Sequence, residues 1–189
     1  MNKIIIVEGP QGVGKTTVTN WLREKIPYTN LYRLTGHNDK TPAGRDKSIG
    51  MYLALMFYME ILHESGVNLL FDRTFITEEV YCRLGHRQYE FTDVFEYLMN
   101  RLNKIDCEVI VINLFCSNEE VLSRRLNRNK PQHLDVNFCV GESLLQQKEY
   151  HSLMCEMSDR YKNLVIWPLN TENEDVWKGI LERDLINKL

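Results

Sequence analysis

The chain has 189 residues, is 43% hydrophobic and 26% charged, and carries a formal net charge of −3. That length and composition suit one soluble globular domain spanning 1–189 with a sizeable core, and the charge excludes an extended nucleic-acid track. No apolar run reaches membrane-spanning length; no secretory leader is expected; and five cysteines without a C-x-x-C pair read as reduced thiols of a cytoplasmic protein, three of them small core residues.

Ile4-Ile5-Ile6-Val7 reads as a buried strand. It runs into Gly9-Pro10-Gln11-Gly12-Val13-Gly14-Lys15-Thr16-Thr17, whose G-x-x-x-x-G-K-T spacing is that of a phosphate-binding P-loop. Glycines let the backbone turn with no Cβ between it and a phosphate. The successive N–H groups form an anion nest, continued by the first turn of the next helix. Lys15 is placed to reach β- and γ-phosphate oxygens, and the Thr16 hydroxyl to bind Mg²⁺. A nucleoside triphosphate is the ligand this stretch implies.

Val18, Trp21 and Leu22 give helix 1, about Lys15 to Ile26, its inner face, and Pro27 stops it. Leu31 to Leu34 reads as a second strand, and the polar stretch from Thr35 to Lys47, with Pro42 and Gly44, as a loop. Helix 2, about 46–65, is apolar on most sides: a central core helix, the lining of a pocket, or a contact with a partner chain. Val67 to Asp72 forms strand three, followed by Arg73, a short helix from Phe75 to Tyr81 and a helix from Thr92 to Lys104. Glu108 to Phe115 is a nearly unbroken apolar strand, as in parallel sheets covered on both faces.

Ser117-Asn118-Glu119-Glu120 reads as a capping box before a helix bearing Arg124, Arg125 and Arg128, with a loop from Asn129 to Val140. A long helix from Ser143 to Tyr161, a strand from Leu164 to Leu169, a second capping box at Thr171-Glu172-Asn173-Glu174 and a last helix complete the chain. Strands thus alternate with helices: an α/β fold with a five-stranded, mainly parallel sheet flanked by helices on both faces, of P-loop NTPase or kinase type. Ligands of such sheets bind beyond the carboxyl ends of the strands, where Gly9, Arg33, Asp72 and Phe115 should converge.

Phosphoryl transfer needs placed phosphates, Mg²⁺, and cations that follow charge onto the transferred group. Asp72 is placed to hold Mg²⁺ through water or to orient an acceptor, and Arg73 to grip an acceptor phosphate with two parallel hydrogen bonds. A helix N-cap and a surface arginine fit the same two residues. The arginine cluster fits a closing lid at about 124–140, or a solvated basic face; the P-loop in the same chain favours the lid.

Taken in order, G-P-Q-G-V-G-K-T-T, Y-R-L-T-G, F-D-R-T-F-I-T-E-E-V-Y and E-V-L-S-R-R-L-N-R resemble thymidylate kinase and, more broadly, the P-loop nucleoside and nucleotide kinases over nearly the whole chain. The resemblance implies ATP and Mg²⁺ as cofactors and a small nucleotide acceptor. It implies that Lys15 and Arg125 clamp the ATP phosphates with Arg128, that Arg73 and Arg33 hold the acceptor phosphate, that Phe57 stacks on its base, and that Thr77 and Tyr81 lie near base and sugar. Gly12 stands where some members carry an arginine; members with glycine there use lid arginines. Helix 2 matches the family's homodimer interface. Gln11 replaces an acid, Ile61 a base-reading arginine, Thr77 a serine and Cys82 a glutamine, so the phosphate machinery matches better than the base-reading machinery. The expected activity is phosphoryl transfer to a (deoxy)nucleoside monophosphate. A deoxynucleoside kinase with Glu8 as general base, a kinase of a modified nucleotide, and a nucleotide-switched binding protein are the alternatives.

Overall fold

The structure is a computed structural model that describes residues 2–34, 39–129 and 136–188. Strands β1 (Lys3–Glu8), β2 (Thr29–Arg33), β3 (Asn68–Asp72), β4 (Glu108–Phe115) and β5 (Leu164–Asn170) form one sheet in the order β2-β3-β1-β4-β5. Every neighbouring pair is parallel, with Ile5 opposite Leu70 on one side and Ile110 on the other. Helices α1 (Lys15–Lys25), α2 (Pro42–Leu62), α3 (Phe75–Arg83), α4 (Thr92–Leu102), α5 (Glu119–Asn129), α6 (Val136–Arg160) and α7 (Glu174–Asp184) fill the crossovers and cover the sheet.

The unbroken apolar runs follow from this cover. Ile4 and Ile6 face a core built with α2, α3, α4 and α6, while Ile5 and Val7 face a second core built with α1, α5 and α7. Alternate residues of β1 thus serve opposite layers, so no position of the run is left for a polar side chain. Trp21 and Trp177 join α1 to α7 edge to face, 5.4 Å between ring centroids.

Several boundaries differ from the sequence reading. Helix α2 begins at Pro42, because proline suits the first helical turn, and Gly44 lies buried inside the helix. Helix α6 begins at Val136 within the expected loop, while 130–135 of the expected lid and 35–38 of the first loop fall outside the described residues. Neither capping box forms as read. Asn118 and Asn173, one and two residues further on, accept from the first free N–H groups of α5 and α7. The Ser117 hydroxyl is taken by Glu172, and Thr171 turns inward. Of the cysteines only Cys116 is fully buried; Cys82, Cys107 and Cys139 pack partly against the cores and Cys155 is exposed.

Candidate active site

Beyond the carboxyl ends of β1, β2 and β3 lies a cleft of about 640 Å³. Gln11, Gly12, Gly14, Lys15, Thr16 and Thr17 form its floor; Arg33, Asp72 and Arg73 stand along one wall, and Arg125, Arg128 and Thr171 along another. Gly9 and Val13 stand behind this floor, and Val13 is wholly in the core.

The turn is one that only glycines make. At Gly9 φ is 139°, and a Cβ there would meet the Leu114 carbonyl oxygen at 2.5 Å. At Gly12 φ is 86°, and a Cβ would lie 2.9 Å from Leu122 and Leu126 of α5. A side chain at position 12 would therefore have to displace these two leucines and adopt a strained backbone. Gly14, at φ 89°, precedes α1 without a side-chain cap, which leaves the first N–H groups of α1 free for an anion. Lys15 curls back over the loop, its Nζ donating to the carbonyls of Gly9 at 2.8 Å and Pro10 at 2.5 Å. Burial pushes its pKa down to about 7; the charge of Arg73 acts in the same direction, and Asp72 and Glu8 oppose it.

Two side chains that sequence reasoning missed brace this loop. Thr171 Oγ1 donates to the Val13 carbonyl at 2.6 Å, and Ser143 Oγ of α6 donates to the Gln11 carbonyl at 2.8 Å. Thr171 also receives Arg125, whose two terminal nitrogens donate to its hydroxyl at 3.1 Å and its carbonyl at 2.6 Å. One threonine thus fixes the P-loop and Arg125 together. The available signal was its place one residue past β5, obscured because Thr171-Glu172-Asn173-Glu174 imitates a cap. Arg124 is exposed and outside the cleft, so of the three arginines Arg125 and Arg128 line it.

On the opposite wall β2 pairs with β3 so that Arg33 lies beside Asp72, Nε to Oδ2 being 3.7 Å; Arg33 also donates to the Asn20 side chain. Arg73 adopts φ 74°, a left-handed conformation unusual for a residue with a Cβ. Its NH1 donates to the Tyr81 hydroxyl at 2.8 Å, while Arg87 lies over the Tyr81 ring at 5.3 Å. Such a strained residue persists only when its surroundings over-determine it. Tyr81 thus supports Arg73 from behind and does not line the cleft.

Three expected residues, Phe57, Thr77 and Glu8, stand elsewhere. Phe57 is 60% exposed and Ile61 55% exposed, outside the cleft, because Tyr52, Met56 and Met59 occupy the inward face of α2. Thr77 is buried, its hydroxyl engaged by Glu8 and Tyr150. Glu8 is fully buried and takes three hydrogen bonds from Thr74 and Thr77, so it does not face the cleft as a general base. Burial pushes its pKa up to about 7, against the lowering effect of the Thr77 and Thr74 hydrogen bonds and of the Arg73 charge.

No family model and no curated protein matches the sequence. Solved structures do. The YorR protein of Bacillus subtilis, solved in complex with phosphorylated GDP, superposes with a TM-score of 0.66 at 16% identity over 98% of this chain and 97% of that one. Thymidylate kinase from Candida albicans gives 0.60 at 15% over 99% and 92%. Deoxyadenosine kinase from M. mycoides with dCMP and dCDP gives 0.58 at 15% over 98% and 100%. With its parallel sheet, glycine turn and flanking helices, the chain has the fold of the YorR protein and of these two kinases.

Proposed function

We propose that the protein transfers the γ-phosphoryl group of ATP, with Mg²⁺, to a (deoxy)nucleoside monophosphate in the cytoplasm. The observation that carries this reading is the doubling of cations across one cleft. Lys15, Arg125 and Arg128 surround the P-loop side, and Arg33 and Arg73 stand on the far wall, where a triphosphate in the P-loop leaves them unused. A second phosphate group, on the acceptor, matches them. The solved neighbours named for thymidylate and for deoxyadenosine bracket the choice between monophosphate and nucleoside acceptors. Two arginines on the acceptor wall favour the monophosphate, and the engagement of Glu8 by Thr74 and Thr77 removes the base that the nucleoside reading needed.

The division of labour follows from the geometry. The backbone N–H groups between Gly9 and Thr16 cradle the ATP phosphates. Lys15 exchanges two carbonyl oxygens for phosphate oxygens. Thr16 and Asp72 offer a hydroxyl and a carboxylate to the same cleft, oxygen donors of the kind Mg²⁺ takes alongside phosphates and water; bound there, the ion would neutralise charge on the β- and γ-phosphates. Arg125 and Arg128 add charge from the lid side. Arg73, held by Tyr81, fixes the acceptor oxygen in line with the γ-phosphorus. Base recognition does not run through position 61, where an outward isoleucine stands. The exposed apolar stripe of Phe57 and Ile61, with Gly50 and Ala54 beside it, suits a homodimer contact along α2. Sedimentation of Ile61→Asp as a monomer, against a wild-type dimer, is the expected result.

The test of the activity is ADP formation by purified protein with Mg-ATP and a panel of nucleosides and nucleoside monophosphates. Turnover stimulated by a monophosphate is expected. Stimulation by nucleosides alone would transfer the assignment to a nucleoside kinase, and none with any member would end the kinase reading.

A further inference from the structure

Glu8 closes β1 one residue before the P-loop and is 0% exposed. Its Oε1 accepts from the Thr74 backbone N–H and from Thr74 Oγ1, both at 2.7 Å, and its Oε2 accepts from Thr77 Oγ1 at 2.6 Å. Tyr150 of α6 lies 2.7 Å from Thr77 Oγ1. A threonine has one hydroxyl proton, here directed at Glu8, so the phenol donates to Thr77. The proton order is therefore Tyr150 to Thr77 to Glu8. A carboxylate in such a place is costly, and the N-cap of α3 does not require it, since Thr74 Oγ1 itself accepts from Ile76 N.

What Glu8 adds is a grip on the residue next to Arg73. On one side Arg73 is tied to the P-loop strand, its N–H donating to the Val7 carbonyl at 3.1 Å. On the other, Glu8 holds both backbone and side chain of Thr74. Val7 and Glu8 are consecutive, so β1 clamps Arg73 in its left-handed conformation from both sides. We infer that Glu8 is a positioning residue for the acceptor-side arginine, coupling the strand that carries the P-loop to the wall where the acceptor phosphate binds. The inference rests on the assignment of Arg73 to the acceptor.

Glu8→Gln tests it with almost no change in shape. The amide oxygen can still receive the two Thr74 donors, but its NH₂ must donate to Thr77. Thr77 Oγ1 and the Tyr150 phenol then hold two protons with one acceptor between them, so one buried hydroxyl proton loses its partner. With the acceptor monophosphate found in the panel, Glu8→Gln should raise acceptor KM or lower kcat by on the order of 10- to 100-fold. The dissociation constant of Mg-AMP-PNP, measured by calorimetry, should stay within about 3-fold, because no ATP-side contact is lost. Thr77→Val should behave likewise and Thr77→Ser should restore the acceptor constants. If Glu8→Gln does not fold, the two Thr77 variants decide the matter. Acceptor constants unchanged in Glu8→Gln or in Thr77→Val, or equal losses for acceptor and AMP-PNP, would overturn the positioning role while leaving the kinase assignment standing. A wild-type protein inactive with the whole panel would instead remove the assignment; the positioning role is then read from a crystal structure of Glu8→Gln, in which Arg73 keeping its φ and its Tyr81 contact counts against it.

Discussion

The two walls of the cleft are built differently. The P-loop side, the proposed donor side, is built on backbone to which Lys15, Arg125 and Arg128 are added: a glycine turn, a helix end without a side-chain cap, and carbonyls pinned by Thr171 and Ser143. The acceptor side is side chain: Arg33 across from Asp72, and Arg73 propped by Tyr81. Backbone recognition depends on conformation, which a short glycine pattern specifies completely. Side-chain recognition depends on distant partners, and it tolerates replacement. On the proposed reading, the P-loop wall therefore states its ligand plainly, whereas the opposite wall, with its two arginines, suits a phosphate and is silent on the base.

Substitutions can break or sharpen this contrast. The largest effect is expected for Lys15→Ala, which should lower kcat by about 10³-fold, since a preorganised cation facing the transferred group is lost; steady-state ADP release measures it, and a near-normal rate would remove Lys15 from the chemistry. Gly9→Ala comes next, and its effect is on stability. Its Cβ would press on the Leu114 carbonyl at 2.5 Å, and φ is 139°, so a loss of about 3 kcal/mol is expected in denaturant unfolding. Thr171→Val removes an acceptor for Arg125 and a donor to Val13, and should raise the KM for ATP about 10-fold while sparing that for the acceptor.

A subtler effect follows from the two buried charges behind the loop. Glu8 has its pKa raised in the fold to about 7, so its contribution to stability is full below its unfolded value and is lost as the pH rises toward 7. Lys15 has its pKa lowered to about 7, so its contribution is full above its unfolded value and is lost as the pH falls toward 7. Together they place a stability minimum near neutral pH in the ligand-free protein. Thermal unfolding across pH 5 to 10 should show wild type losing stability relative to Glu8→Gln between pH 5 and 7. It should gain relative to Lys15→Met above 7. A flat difference in either window would contradict that group's burial as the cause. Phosphate binding favours charged Lys15, so nucleotide binding near pH 7 takes up protons. The smallest effect is expected at Phe57: Phe57→Ala should change acceptor KM by less than about 2-fold, because the ring faces outward. A large loss there would show the acceptor wall reaching round to α2.

The sheet was legible because both of its faces are covered: Ile4 to Val7 and Val109 to Ile112 are unbroken apolar runs with no polar alternation to confuse with a surface strand. The P-loop was legible because spacing and conformation are one thing there. Phe57 was not, since a resemblance assigns a residue to a position in the chain but cannot say which side of a helix the neighbouring packing claims. Tyr52, Met56 and Met59 claim the inner side of α2. Thr171 and Ser143 were illegible for another reason. Their partners are backbone carbonyls 158 and 132 residues away, which leave no mark in a local pattern.

That separation bears on the order in which the molecule comes together. Glycines 9, 12 and 14 leave the ribosome well before the hydroxyl that holds the Val13 carbonyl, which belongs to residue 171 and follows strand β5. The central strand β1 also waits for β3 and β4 on either side. A nascent chain thus carries its P-loop through 158 further residues of synthesis without the brace that sets it. The P-loop is written long before the residue that secures it.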